Sequence, residues 1–306
     1  MLIKKWSIVA AMAIAVLSPA QAQNLENLLM GIATDIIRGA VQQQQPAAPA
    51  NVPANAPADA AINTPIDAAQ ARQILIEMGY AFRDAGSRTI EAPVRGFWLH
   101  GNPNRHQVPV LISQDGRFVV RLLEHETLVL ERLPGSQVRS LSPDESRGLL
   151  QNMLANLRPE ALIPFGAADH RTPILLTAAN CPACIELDHM VRPMTDLQMR
   201  VAPTLISRNA DGGSMTYSRI MCNRPQRQSF ERSIDARGRN LPPNVPGCDL
   251  RLEYWFLSEL LWATSGMPGD RRYFPVLFSA HGGIVELDRR SAATVRASIR
   301  RATIQP

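Results

Sequence analysis

An α/β fold with a smaller α+β region ahead of it is what this sequence predicts, and three observations carry the prediction. A β-branched and aliphatic run, Thr172-Pro173-Ile174-Leu175-Leu176-Thr177, precedes Ile185, Leu187, Met190 and Val191 at helical spacing. Strand-like and helix-like patterns continue to alternate from about Ile163 to the end of the chain. Between residues 64 and 140, one helical pattern leads into short alternating runs separated by turn residues.

The chain opens with Lys4 and Lys5, an apolar stretch from Trp6 to Leu17, and Ser18-Pro19-Ala20-Gln21-Ala22. Charged, apolar and small-residue regions in that order predict a cleavable signal peptide over 1–22. The apolar stretch is short for a bilayer span, and nothing later approaches the required length. An exported protein in an oxidising space, most simply a bacterial periplasm, is therefore expected. Without the signal about 284 residues remain, enough for two domains of ordinary size.

Residues 23–63 predict an amphipathic helix and a linker. Leu25, Leu28, Leu29, Ile32, Ile36 and Ile37 form one stripe over 24–41, followed by Gln42 to Gln45 and a Pro/Ala/Asn-rich tract. An isolated helix of this length is marginal in water, so it is expected to pack on something. A helix of another subunit is the preferred partner, with a membrane surface or the protein's own body as alternatives.

In 64–140, Thr64-Pro65-Ile66-Asp67 supplies a helix start, with Ile74, Leu75 and Met78 continuing it. Strands are expected within Thr89 to His100, Val108 to Ser113 and Arg117 to Leu122, the last two flanking a turn at Gln114-Asp115-Gly116. Ser142-Pro143-Asp144-Glu145 repeats the capping signature before Leu149, Leu150, Met153, Leu154 and Leu157, predicting a connecting helix in 141–162.

Over 163–306, strands are expected before Cys181, at Gln198 to Ser207 and near Met215 to Met221. A helix follows over Asp249 to Ala263, then a strand pair, Phe274 to Ser279 and Ile284 to Leu287, and a last helix through Ala292, Val295 and Ile299. With a cysteine pair opening its first helix, this order matches a thioredoxin-like α/β layer.

That pair, Cys181-Pro182-Ala183-Cys184, carries the chemistry. Exposed N–H groups and the positive end of the helix dipole stabilise a thiolate, and cysteines so placed have pKa values of roughly 3.5–7.5 instead of about 8.5. Cys181 is thus expected to be an accessible nucleophile, and Cys184, one turn later, the thiol that resolves a mixed disulfide. Pro182 suits the first helical position, where its missing N–H has no partner to lose. A zinc site is disfavoured because Cys222 and Cys248 stand apart rather than as a second close pair. No metal or cofactor is expected. His170, His189 and His281 read as solvated residues.

Composition says less. The only lysines are Lys4 and Lys5, so removing the signal from 32 basic residues leaves 30, all Arg, against 27 acidic ones. They are interspersed, which describes a mixed solvated surface and not a nucleic-acid-binding one.

Taken together, these motifs resemble the periplasmic disulfide isomerases of the DsbC/DsbG type. The strand, turn and CxxC in Leu176 to Cys184 are similar to the family's redox site, with Leu187 on a shared apolar position. Ile220-Met221-Cys222 and Gly247-Cys248-Asp249 resemble its second cysteine pair, and Ala69 to Leu122 its N-terminal dimerisation domain. The resemblance implies a thioredoxin-like catalytic domain with a helical insertion, joined by a linker helix to a small α+β domain that forms a homodimer around a cleft. It also implies a structural disulfide between Cys222 and Cys248, which their separation and an oxidising compartment favour over a second redox couple. A cis-proline facing the active site is implied too, for which Pro275 is preferred to Pro268, because it begins a strand. Phe274 departs from the family, which commonly has a small hydroxyl residue there.

The expected function is thiol:disulfide interchange, isomerising or reducing non-native disulfides in exported proteins. That implies a membrane electron donor of the DsbD kind to keep Cys181 reduced. A net oxidase, and a non-catalytic chaperone or assembly factor, are the alternatives.

Overall fold

The structure, a computed structural model, describes residues 65–81, 85–105, 109–122, 127–134, 137–206, 211–265 and 273–304. The expected signal peptide, the helix over 24–41, its linker and Pro268 lie outside them.

Helix α1 (Ala68–Glu77) begins at Asp67, whose carboxylate accepts the Gln70 N–H while the Gln70 side chain accepts the Asp67 N–H. The cap is Asp67 and not Thr64, so the helix starts about a turn later than the sequence suggests. A meander follows: β1 (Arg88–Glu91), β2 (Phe97–Gly101), β3 (Val110–Ser113), β4 (Phe118–Leu122), β5 (Thr127–Arg132) and β6 (Val138–Ser140). These form a six-stranded sheet in chain order, antiparallel throughout. Side chains on a strand alternate between faces, and here both faces are covered. Val110, Ile112, Val119 and Leu130 pack with Ala71 and Leu75 of α1, whereas Leu99, Leu111, Val120 and Val129 join the main core. Strands β5 and β6 had no expectation in the sequence.

Helix α2 (Pro143–Ala155) starts as expected. Ser142 accepts the Glu145 N–H, Glu145 accepts the Ser142 N–H, and Pro143 occupies the first turn. It is not free-standing, because it packs against β5 and against α6 (Arg251–Ser265).

The second sheet contains β7 (Ile163–Phe165), β8 (Ile174–Ala178), β9 (Met199–Thr204), β10 (Val276–Phe278) and β11 (Ile284–Val285), in the order β11-β10-β8-β9-β7. Strands β8 and β9 are parallel and joined through α3 (Pro182–Val191), while β10 and β11 form an antiparallel pair beside β8. A closing helix, α7 (Ala292–Ile304), packs on α3, β10 and β11. This βαβ unit followed by a hairpin and a helix is a thioredoxin-like arrangement. Between β9 and β10 lie α4 (Asp211–Cys222), α5 (Gln226–Asp235) and α6.

One expectation fails here: Met215 to Met221 is helix α4, not a strand. Its apolar residues do not alternate in burial; Tyr217, Ile220 and Met221 are buried at helical spacing, with Ser214 and Thr216 fully enclosed. Thr216 Oγ1 donates to the Gly212 carbonyl 2.7 Å away, satisfying the hydroxyl within the helix. Contacts of α4 with α6 and β9 then fix the element.

Helix α6 buries Leu252, Phe256, Leu257, Leu260, Leu261 and Trp262, an apolar surface too wide for one stripe. It packs on β2, β4, α2 and α4, so one continuous hydrophobic cluster links the two sheets. Glu253 on this helix has a buried Oε2 with no hydrogen-bond partner, and burial pushes its carboxyl up to about 7. Among the described residues, no helix is long and apolar enough to cross a membrane.

Candidate functional site

Strand β8 is fully buried, and its end delivers the chain to Cys181. The Ala179 N–H donates to the Thr204 carbonyl at 3.0 Å, continuing the pairing with β9 up to the turn. Asn180 then braces the neighbouring loop, its amide donating to the Ile206 carbonyl (2.6 Å) and accepting the Ile206 N–H (2.8 Å).

Cys181 is the N-cap of α3, with extended backbone (φ −89, ψ 120), and Pro182 takes the first turn. Its Sγ accepts the Cys184 N–H at 3.3 Å, the hydrogen bond by which a helix start favours sulfur carrying negative charge. The Cys181 carbonyl accepts from both Cys184 and Ile185 at 3.0 Å, holding the first turn closed. Cys181 and Cys184 are free thiols, not joined to each other.

The two differ in environment. Cys184 is 0% exposed, and burial, reinforced by its hydrogen bond with Cys181, pushes its thiol up to about 12. Cys181 keeps 5% of its surface, a narrower opening than the sequence suggests. Phe274 and Ala183 pack against the two cysteines and Ala178, which accounts for much of that cover. The Phe274 carbonyl lies 3.8 Å from Cys181 Sγ, and the Phe274–Pro275 peptide is cis. Pro275 therefore stands beside the pair. Ile206, whose backbone bonds to Asn180, and Tyr273, which precedes Phe274, are each 49% exposed.

Sequence reasoning missed what anchors the helix. Asp188, one turn beyond Cys184, is buried and paired with Arg192, whose Nη2 is 2.5 Å away. Burial pushes the Asp188 carboxyl up, against the lowering effect of Arg192. Arg192 also donates to Asp235 on α5 at 2.9 and 3.1 Å, clamping the active helix to the helical insertion. The i,i+4 spacing of Asp188 and Arg192 is readable in the sequence; Asp235, 43 positions away from Arg192, is not. His189 is more than half exposed and sits 3.6 Å from Asp235.

Cys222 and Cys248 form a disulfide, with S–S 2.02 Å and Cα atoms 6.0 Å apart. It ties the end of α4 to the segment before α6. The loop it closes is further held by Arg219 and Asn223, which donate to the Pro242 and Pro243 carbonyls. No group of three or more His, Cys, Asp or Glu residues among the described residues is gathered to hold a metal.

No protein-family model and no curated protein matches this chain. Among solved structures, the crystal structure of a periplasmic thioredoxin-like protein from Salmonella enterica serovar Typhimurium is similar over 55% of this chain and 100% of that one, at 15% identity and a TM-score of 0.34.

Proposed function

We propose that this chain is a thiol:disulfide interchange enzyme acting on exported proteins. The observation that carries the reading is Cys181 Sγ at the start of α3, accepting the Cys184 N–H, with the second thiol one turn behind it. As a thiolate, Cys181 attacks one sulfur of a substrate disulfide; a Cys181–substrate bond forms, and the other substrate sulfur leaves as a thiolate and takes up a proton. If a substrate thiolate then attacks the mixed disulfide, Cys181 is released unchanged and the substrate has been isomerised. If Cys184 attacks instead, a Cys181–Cys184 disulfide forms and the substrate is reduced by two electrons.

Isomerase or reductase work requires the dithiol to be regenerated, so a membrane electron donor of the DsbD kind belongs to this reading. The signal-like leader, Lys4 to Ala22, supports a periplasmic location as part of this reading. A homodimer joined through the small α+β domain is also part of it. The edge strand β6, exposed at all three residues, supports that assembly.

Reactivation of a scrambled multi-disulfide protein tests the reading. Cys181→Ala is expected to abolish it, and unchanged activity would refute the assigned nucleophile. Thiol trapping in cells separates isomerase from oxidase, because a mainly oxidised Cys181–Cys184 pair supports the oxidase. The exposed Ile206, bonded through its backbone to Asn180, and Tyr273, next to Phe274, favour contact with unfolded clients as a second reading. Suppression of aggregation that survives Cys181→Ala with Cys184→Ala would establish that chaperone role.

A further inference from the structure

Arg200 is a buried cation that the thiol chemistry does not use. It lies in β9 and is only 5% exposed. Its Nε and Nη2 donate to the Thr172 carbonyl at 3.3 and 2.9 Å, and Nη2 donates also to the His170 carbonyl at 3.1 Å. No carboxylate among the described residues lies within ion-pair distance of it. Burial without a paired charge costs several kcal/mol in general, and carbonyl dipoles repay only part of that. Burial pulls the Arg200 pKa down to about 10, against the raising effect of the Asp169 charge.

Arg200 borders a cavity of about 460 Å³ that is also lined by Arg95, Asn156, Pro159, Asp169 and His170. Arg95 is exposed, and its guanidinium makes no hydrogen bond or ion pair among the described residues. The one carboxylate on this wall is bonded to Arg171, and its charge also reaches Arg200. Asp169 accepts the Arg171 N–H at 2.9 Å and two guanidinium contacts at 3.2 Å, which hold it below the usual carboxylate range. Two arginines therefore line one concave, partly apolar space, and among the described residues neither has a carboxylate within ion-pair distance. Guanidinium is suited to carboxylate and phosphate, whose paired oxygens match its fork of N–H donors.

The geometry points to a binding site for a small oxyanion, a carboxylate or a phosphate, held between Arg95 and Arg200. The site is separate from the thiols. Arg200 pairs with Ile174 at the start of β8, whereas Thr204 pairs with Ala178 at the end that leads to Cys181. Four residues of strand separate Arg200 from Thr204, about 13 Å.

The test uses the full chain at fixed ionic strength and neutral pH, titrated calorimetrically with inorganic phosphate in one arm and sodium acetate in the other. Saturable binding of either, with a Kd on the order of 1 mM or tighter, is expected, and the arm that binds assigns the oxyanion. Arg95→Ala removes an exposed side chain without touching the core, so it should fold and weaken binding about tenfold or more. Cys181→Ala should bind as the parent does. Absence of saturation in both arms, or equal affinity in Arg95→Ala, overturns the proposal. Should Arg200→Gln fold, loss of binding supports the site and retention overturns it.

Discussion

The burial of Cys184 has a kinetic consequence that can be measured directly. Its thiol is pushed up to about 12, and the largest cause, burial, persists when Cys181 is tied up in a mixed disulfide. Each unit of pH changes the thiolate fraction tenfold, so at about pH 8 roughly one molecule in ten thousand carries the Cys184 thiolate. Resolution of a mixed disulfide by Cys184 should therefore quicken about tenfold per pH unit between about pH 6 and pH 9, without levelling off. An aromatic disulfide reports both steps by stopped flow. Cys181 releases the first coloured thiolate on forming the mixed disulfide, and Cys184 releases the second on closing the Cys181–Cys184 bond. Cys184→Ala should retain the first phase and lose the second. A second phase that plateaus below about pH 9 would mean that Cys184 ionises like an exposed thiol, and the argument from burial would be wrong.

Glu253 offers a test of stability against pH. Its carboxyl is raised from 4.5 to about 7, so the folded state holds the proton more tightly than the unfolded one. Its contribution is present below the unfolded value and lost as pH rises through about 7; the full cost is about 3 kcal/mol. Glu253→Gln should gain about 2–3 kcal/mol over the parent in urea unfolding at about pH 8, with the gap closing toward about pH 4; a gap independent of pH would contradict this. Replacing Cys222 and Cys248 together by Ala opens a loop with a sequence separation of 26, which on the chain-entropy account costs about 3.5 kcal/mol. The denaturant midpoint should fall accordingly, and an unchanged midpoint would show that the bridge adds nothing.

What could be read from the pattern of the residues, as distinct from the family resemblance, was whatever depends on neighbours along the chain. The change from a buried apolar run to helical spacing at Cys181 is local, as is the capping pair of Ser142 and Glu145, and both have the structure their spacing predicts. Met215 to Met221 misleads because Met215, Tyr217 and Ser218 give a short ambiguous pattern, decided only by α6 and β9 packing against it. Asp67 shows a finer limit: two caps compete within four residues, and the reciprocal bond with Gln70 selects the later one. Arg200 reads as an ordinary surface cation in a sequence rich in Arg, since the groups that receive its hydrogen bonds are main-chain carbonyls of residues 170 and 172. Likewise Asp235 gave no sign that it would hold the active helix.

The cluster that runs from Leu99, Leu111 and Val120 through Leu154 and Phe256 to Leu176 constrains where the thiols can sit. Tilting one sheet away from the other would peel α6 off one of its neighbours and wet side chains that are now dry, at about 25 cal/mol for every Å² uncovered. Large rocking motions are thereby suppressed. Cys181 is delivered at a fixed address, and under the proposed thiol exchange an incoming polypeptide must bring its own sulfur to that point.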